Sequence, residues 1–385
     1  MKLVTYRHDA GAGWSAPFDS TLDSDQTLVL LFGATDAAEV AGPIAEVVAA
    51  FPRACVSGCS TAGEIHGASI HDHSVVVAVA RFEHAAVKLA YAVVDDGKRS
   101  FEAGRTLAAE LDRDDLSAIL VLSDGLAVNG SELVRGINGA LSHDVSVTGG
   151  LAGDGPSFVQ TWVLRDGAPA RHVVAAIGLY GKSVQVTHGS QGGWDKFGPE
   201  RIVTRSEGNV LFELDGKPAL DLYKRYLGDR AAGLPATGLL FPLALRRDAS
   251  DENVVVRTLL AVDEASQSMT FAGDIPQGWM CQLMSANFDR VIAGAGRAAE
   301  SAMPEDAADD GPVLSVAISC VGRRLILGER TEEELEATLD ALPPGTQQVG
   351  FYSYGELSPH ANGPCDLHNQ TMTLTAIREF DRKAA

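Results

Sequence analysis

GCSTAGEI, Gly58 to Ile65, brings a thiol, two hydroxyls and a carboxylate around two glycines. Such a set can build a nucleophilic site, and it can equally build a tight structural turn. The flanking sequence separates the two readings. TLVLLFGAT (Thr27–Thr35) is a continuous apolar run that predicts a buried strand, and DAAEVAGPIAEVVAAF (Asp36–Phe51) carries apolar residues at helical spacing behind Asp36 as N-cap. GCSTAGEI therefore closes a strand–helix–strand unit. A second unit starts at LSAILVLSDG (Leu116–Gly125), passes through NGSELVRGINGALS (Asn129–Ser142) and returns as VSVTGGLAGDG (Val145–Gly155). A third starts at PVLSVAISC (Pro312–Cys320), passes through TEEELEATLDAL with Thr331 as cap, and returns as QVGFYSYGEL (Gln348–Leu357). Glu64, Asp154 and Glu356 each follow a glycine at like places in these βαβ-like units. The second and third turns hold no cysteine, so a catalytic Cys59 would be an addition to a shared structural device. Free cysteine is more often a small buried apolar residue.

The 385 residues exceed what one hydrophobic core serves, which predicts at least two domains. HSVVVAVARF, AAVKLAYAVV, SFVQTWVL and VVAAIGLYG read as strands, and VVVRTLLAVDEASQSMTFAG (Val254–Gly273) as a hairpin about DEASQ. KPALDLYKRYL (Lys217–Leu227) reads as a helix, the Gly/Pro-bearing GDRAAGLPATG after it as the domain boundary, and PEDAADDGP (Pro304–Pro312) as a solvated acidic connector. A net charge of −20, without a basic run, opposes binding to nucleic acid or an anionic membrane. The start lacks a signal peptide's apolar segment, and no run of about 18 apolar residues is long enough to span a bilayer. A cytoplasmic protein is expected. Five dispersed cysteines, none in a CxxC pair, fit reduced thiols rather than a disulfide framework.

Several of these motifs, in order, resemble the FIST family of bacterial signal-transduction sensors. They are GCSTAGEI, TGGLAGDG and VTRSEGNVLFELDGKPALDLY (Val203–Tyr223) toward the N-terminus, then FAGDIPQG, ISCVGRRLILG, GFYSYGEL and LHNQT (Leu367–Thr371). The resemblance implies an α/β protein in a two-part FIST architecture with repeated βαβ-like units and mixed sheets, an N-type domain over residues 1–225 and a C-type domain over 226–385. It implies a receptor for a small molecule, amino acids among the suggestions, rather than an enzyme. Within the family, the stand-alone form is similar to NosP, a branch that binds haem, responds to nitric oxide and controls a separate histidine kinase or cyclic-di-GMP enzyme. That likeness makes haem b the expected cofactor and such an enzyme, acting in trans, the expected partner, and leaves a homo-oligomer open.

A haem sensor needs an axial ligand, usually a neutral imidazole, in an otherwise apolar pocket. His188, in VQVTHGSQGGWDKFG, is the candidate: it ends an apolar strand, glycines follow that would let a planar ligand near the backbone, and Trp194 and Phe197 are close in sequence. The alternative is a surface histidine at a strand end. His66, His71 and His73 lie within IHGASIHDHS; they are either part of a metal site, if His71 and His73 share a strand face, or a polar loop. Arg323, beside Cys320 at the end of a buried strand, either forks to a ligand carboxylate or pairs with an acidic neighbour. The ligand-binding candidates are Gly58, Cys59, Ser60, Thr61, Gly63 and Glu64 in the first turn, Arg323, and Gly355, Glu356, His368 and Asn369 near the C-terminus. If the chain were instead an enzyme, Cys59 or a Glu356–His368 acid/base pair would carry it.

Overall fold

The computed structural model describes residues 1–251, 253–303, 311–360 and 363–380; most of the acidic connector Pro304–Pro312 lies outside them. Thr27–Gly33 is fully buried and runs parallel to Cys55–Ser60, with the helix Ala37–Ala50 between them. Asp36 caps that helix, its carboxylate accepting from the Ala38 N–H at 2.9 Å. Ser74–Arg81 returns antiparallel to Thr27–Gly33, and Lys2–Asp9 adds beyond it.

The same four-strand arrangement occurs twice more. Leu116–Ser123 lies parallel to Ser146–Leu151, Val173–Tyr180 returns antiparallel, and Ala86–Val93 adds beyond. Leu314–Cys320 lies parallel to Gln347–Ser353, Met372–Glu379 returns, and Val184–Gln191 adds beyond. Thr331 is the first residue of the helix Thr331–Asp340 rather than its cap, and its hydroxyl donates to the Gly328 carbonyl at 2.5 Å. Of SFVQTWVL only Val163 and Leu164 enter a strand; Asp154 captures the backbone before it, accepting from the Phe158, Val159 and Gln160 N–H groups at 2.8, 2.7 and 2.8 Å.

After each turn the chain crosses to another unit. The hairpin Glu64–His66/Ser69–His71 extends the third sheet beside Gln347–Ser353. Val163–Arg165/Ala168–Ala170 extends the first, and Gly355–Pro359/Cys365–His368 extends the second. At the centre the three turns close a ring of backbone bonds: Ala62 N–H to the Tyr352 carbonyl at 2.8 Å, Tyr354 N–H to Leu151 at 3.1 Å, and Gly153 N–H to Ser60 at 3.2 Å. One apolar cluster joins Phe32, Leu120, Ile318 and Phe351 from all three units. Each such side chain contributes about 1.5–3 kcal/mol on burial.

The second strand of each unit also carries a glycine pressed on the first strand. A Cβ at Gly58 would stand 2.0 Å from the Leu31 carbonyl oxygen, at Gly149 1.9 Å from that of Val121, and at Gly350 1.7 Å from that of Ala317. Residues 195–285, inserted between Val184–Gln191 and the helix Phe288–Ala302, form a separate eight-stranded sheet that packs on Ala219–Leu227. That sheet contains the hairpin Leu259–Asp263/Ser268–Phe271 read from the sequence. Residues 225 and 226 fall inside the helix Ala219–Leu227, and GDRAAGLPATG forms two short 3-10 turns against the inserted sheet's core. Among the described residues no helix is long and apolar enough to cross a membrane.

Candidate ligand-binding site

Two clefts bring several of the candidate residues together. The first, of about 820 Å³, opens where the first and second turns meet: Thr61, Gly63 and Glu64 line it with Asp154, Asp72 and Arg324. Glu64 is 1% exposed. Its carboxylate accepts from the Thr61 hydroxyl, and from the Ser74 hydroxyl and N–H at 2.8 and 3.2 Å. Burial outweighs these donors and pushes its pKa up to about 7. The neighbouring charge is Arg324, whose guanidinium forks to Asp72 at 2.6 and 2.9 Å and donates to the Ala62 carbonyl at 2.5 Å. Those hydrogen bonds hold the Asp72 carboxyl below its usual range.

Glu356 repeats the Glu64 arrangement and lines neither cleft. It is fully buried, accepting from the Ser353 hydroxyl at 2.6 Å and the Thr371 hydroxyl and N–H at 2.9 and 3.2 Å, and burial raises its pKa to about 8. In both units the acid ties the turn to the start of the returning strand. Asp154 does different work, binding the 158–160 backbone and the Tyr354 hydroxyl.

The opening stretch is thus divided. Gly58 is a packing glycine. Cys59 is buried in the shared apolar cluster, where desolvation holds its thiol protonated, well above the ordinary cysteine range. The Ser60 hydroxyl accepts from the Trp162 N–H at 3.1 Å, and the cleft is lined by Thr61, Ala62, Gly63 and Glu64. Neither catalytic arrangement assembles: the Glu356 carboxylate is held by Ser353 and Thr371, while the His368 Nε2 contacts the Ser358 carbonyl at 2.9 Å. Burial lowers the His368 pKa to about 4. Asn369 is buried, its amide donating to the His368 carbonyl at 3.0 Å, and Gly355 lies against Leu367.

Arg323 pairs internally. Fully buried, it forks to Glu334 at 2.7 and 2.9 Å and donates to the Gly192 and Val291 carbonyls at 2.6 and 2.8 Å. The cleft-facing arginine is its neighbour Arg324, one position further round a single helical turn, which periodicity alone does not distinguish. The histidine trio takes three unrelated partners: His66 contacts Thr5, His71 contacts Arg7, and His73, beyond the strand end at φ 55, contacts Glu39. Among the described residues no group of three His, Cys, Asp or Glu side chains is placed to hold a metal ion.

The second cleft, of about 790 Å³, is lined by His188 and Trp194, by Val254, Val256 and Met284 of the inserted segment, and by Lys196, His360 and His368. His188 lies inside the strand Val184–Gln191, not at its end. The glycines after it serve packing: a Cβ at Gly189 would stand 1.9 Å from the Ala298 carbonyl oxygen and one at Gly193 2.1 Å from that of Arg290, both on the helix Phe288–Ala302. Trp194 donates to the Gln370 carbonyl at 2.7 Å, whereas Phe197 packs against Tyr226, away from the cleft. The His188 ring is half-buried, and desolvation lowers its pKa, favouring the neutral imidazole.

No curated protein matches this chain by sequence. Among solved structures it is similar to a cyanuric acid hydrolase from A. caulinodans, at 10% identity and a TM-score of 0.36 over 98% of this chain and 99% of that one, too distant to bear on function. The model of the FIST N domain matches residues 27–217 and that of the FIST C domain residues 219–359. The chain therefore belongs to the FIST family, whose domains are sensors in signal transduction.

Proposed function

We propose that the protein is a sensor holding a noncovalent haem b at His188, with nitric oxide as the signal and a separate histidine kinase or cyclic-di-GMP enzyme as recipient. The observation that carries this reading is the neutral, half-buried His188 imidazole on the wall of a cleft large enough for a sizeable planar ligand. The donor set fits. Trp194, Val254, Val256 and Met284 supply apolar walls, and Lys196 supplies a cation for a carboxylate. His368 spends its Nε2 on the Ser358 carbonyl and His360 lies 3.6 Å from Asp366, which leaves His188 as the open ligand. A haem held there would supply the iron that takes a diatomic gas. His188 ties the cleft to two elements, since its strand pairs with Met372–Glu379 and packs through Gly189 on the helix Phe288–Ala302. Signalling requires that the liganded form favour one arrangement of these elements over another.

The test is the visible spectrum of the reduced protein with hemin, before and after nitric oxide, beside His188→Ala. A sharp Soret band that shifts with the gas and is lost in the variant supports the reading; the broad spectrum of free hemin in both proteins removes it. A second reading, an amino-acid-like ligand without haem, is favoured by the first cleft, where a carboxyl poised near neutrality faces the same space as a guanidinium. Amino acids that raise the melting temperature of the parent protein and not of Arg324→Met would select it.

A further inference from the structure

We infer that the protein has an additional site, for a small neutral apolar molecule, between the inserted sheet and the three-unit core. It does not depend on the His188 reading. A cavity of about 400 Å³ lies between Leu234, Leu239, Thr258 and Ala272 of the insert and Cys320 and Tyr354 of the core. None of its lining residues is charged, in a chain with a net charge of −20.

Three observations mark it as a site rather than a packing gap. Thr258 is 5% exposed, lines the cavity, and its Oγ1 is buried without a hydrogen-bond partner. A buried hydroxyl left unpaired is costly, and a ligand polar atom would satisfy it once a slight shift of the wall uncovers the oxygen. Phe158, Leu260 and Leu325, at 48, 40 and 45% exposure, all belong to the cavity wall, so three of the nine exposed large hydrophobic side chains among the described residues gather there. The wall is also shaped: the Phe158 ring stacks on Tyr354 at 4.4 Å and 9°, and the Tyr354 hydroxyl is bound to Asp154.

The chemistry selects the ligand. A charged group would lose hydration with no opposite charge to meet it, so the occupant is neutral. The volume admits on the order of 20 non-hydrogen atoms at interior density. One hydroxyl, carbonyl or amide on an aromatic or aliphatic body would meet Thr258. Such a molecule would touch both core and insert, so its occupancy would couple the two.

The experiment uses the full chain and 1-naphthol as probe, with binding followed by the probe's own fluorescence. Thr258→Val keeps the shape and removes the hydroxyl; Ala272→Leu fills the cavity. Saturable binding is expected in the parent, weakened about fivefold by Thr258→Val and abolished by Ala272→Leu, with 1-naphthoate rejected. Thermal melting of both variants verifies that they fold, and a variant that does not is replaced by Ala236→Leu in the same wall. Absence of saturable binding in the parent, equal binding of 1-naphthoate, or parent-like binding by either folded variant would overturn the inference.

Discussion

Arg323 and Arg324 are consecutive, yet the structure gives them opposite work, and replacing each by methionine should separate stability from binding. Arg323→Met would leave Glu334 as a buried carboxylate with no countercharge and strip donors from the Gly192 and Val291 carbonyls. Breaking a buried pair costs about 3–5 kcal/mol, and each orphaned buried acceptor adds about 1–3. A loss of at least about 5 kcal/mol follows. At roughly 2.1 cal/mol/K per residue, a chain of 385 residues unfolds with about 0.8 kcal/mol/K of entropy, so the melting temperature should fall by about 6 °C. Arg324 and Asp72 are 25 and 57% exposed at their side chains. An ion pair of that kind is worth about 1 kcal/mol or less, and the Ala62 carbonyl that Arg324 releases belongs to the wall of the open cleft, where water replaces the donor, so Arg324→Met should move the melting point by about 1 °C. Differential scanning fluorimetry on the two variants and on Arg323→Met/Glu334→Leu decides the matter. The double variant should recover part of the loss, because no unpaired carboxylate remains. Equal melting points for the two single variants would refute the assignment of Arg323 to the core.

Stability should also depend on Glu356. Its folded pKa, about 8, lies above the unfolded value, so its contribution is complete below about pH 4.5 and is lost as pH rises through 8. His368 runs the other way, but only between about pH 4 and 6.5. Between pH 6.5 and 8 the melting temperature should therefore fall, and Glu356→Gln should flatten that slope; parallel curves would count against a protonated Glu356. Gly350→Ala must push its Cβ away from the Ala317 carbonyl and should sharply lower soluble yield, and a yield equal to the parent's would count against the close approach of the two strands. With a thiol reagent at pH 8 the native chain should label slowly, Cys55 before the four buried cysteines, and rapid modification of Cys59 mapped by peptide digestion would contradict its burial.

The three units were legible because each obeys a local rule: an apolar run, a capped helix, a second strand, and a glycine followed by an acid. Asp36 announces its helix through the N-cap, and Cys59 shows its structural character by its absence from the other two turns. What the sequence withholds is long-range. Nothing near Glu64 says that its hairpin pairs with Gln347–Ser353, and nothing in ISCVGRRLILG says that a helical turn aims Arg323 inward and Arg324 at a cleft. Asp154 illustrates a different loss. Its place in the repeat is plain, but its capture of three N–H groups from the next segment turned a strand-like run into a loop. The glycines beside His188 suggested room for a ligand, whereas a helix some hundred residues further on occupies that space.

The exchange of hairpins also bears on how the chain is made. The first sheet has every strand once residue 170 has been synthesised, but the second waits for Cys365–His368 and the third for Met372–Glu379. A nascent chain emerging from the ribosome thus carries an open edge beside Ser146–Leu151 while some two hundred further residues are added. Such an edge is a template for wrong partners until its own arrives. Gly355–Pro359, Cys365–His368 and Met372–Glu379 therefore serve as the latch of the whole assembly, and removing them would damage the second sheet as much as the third.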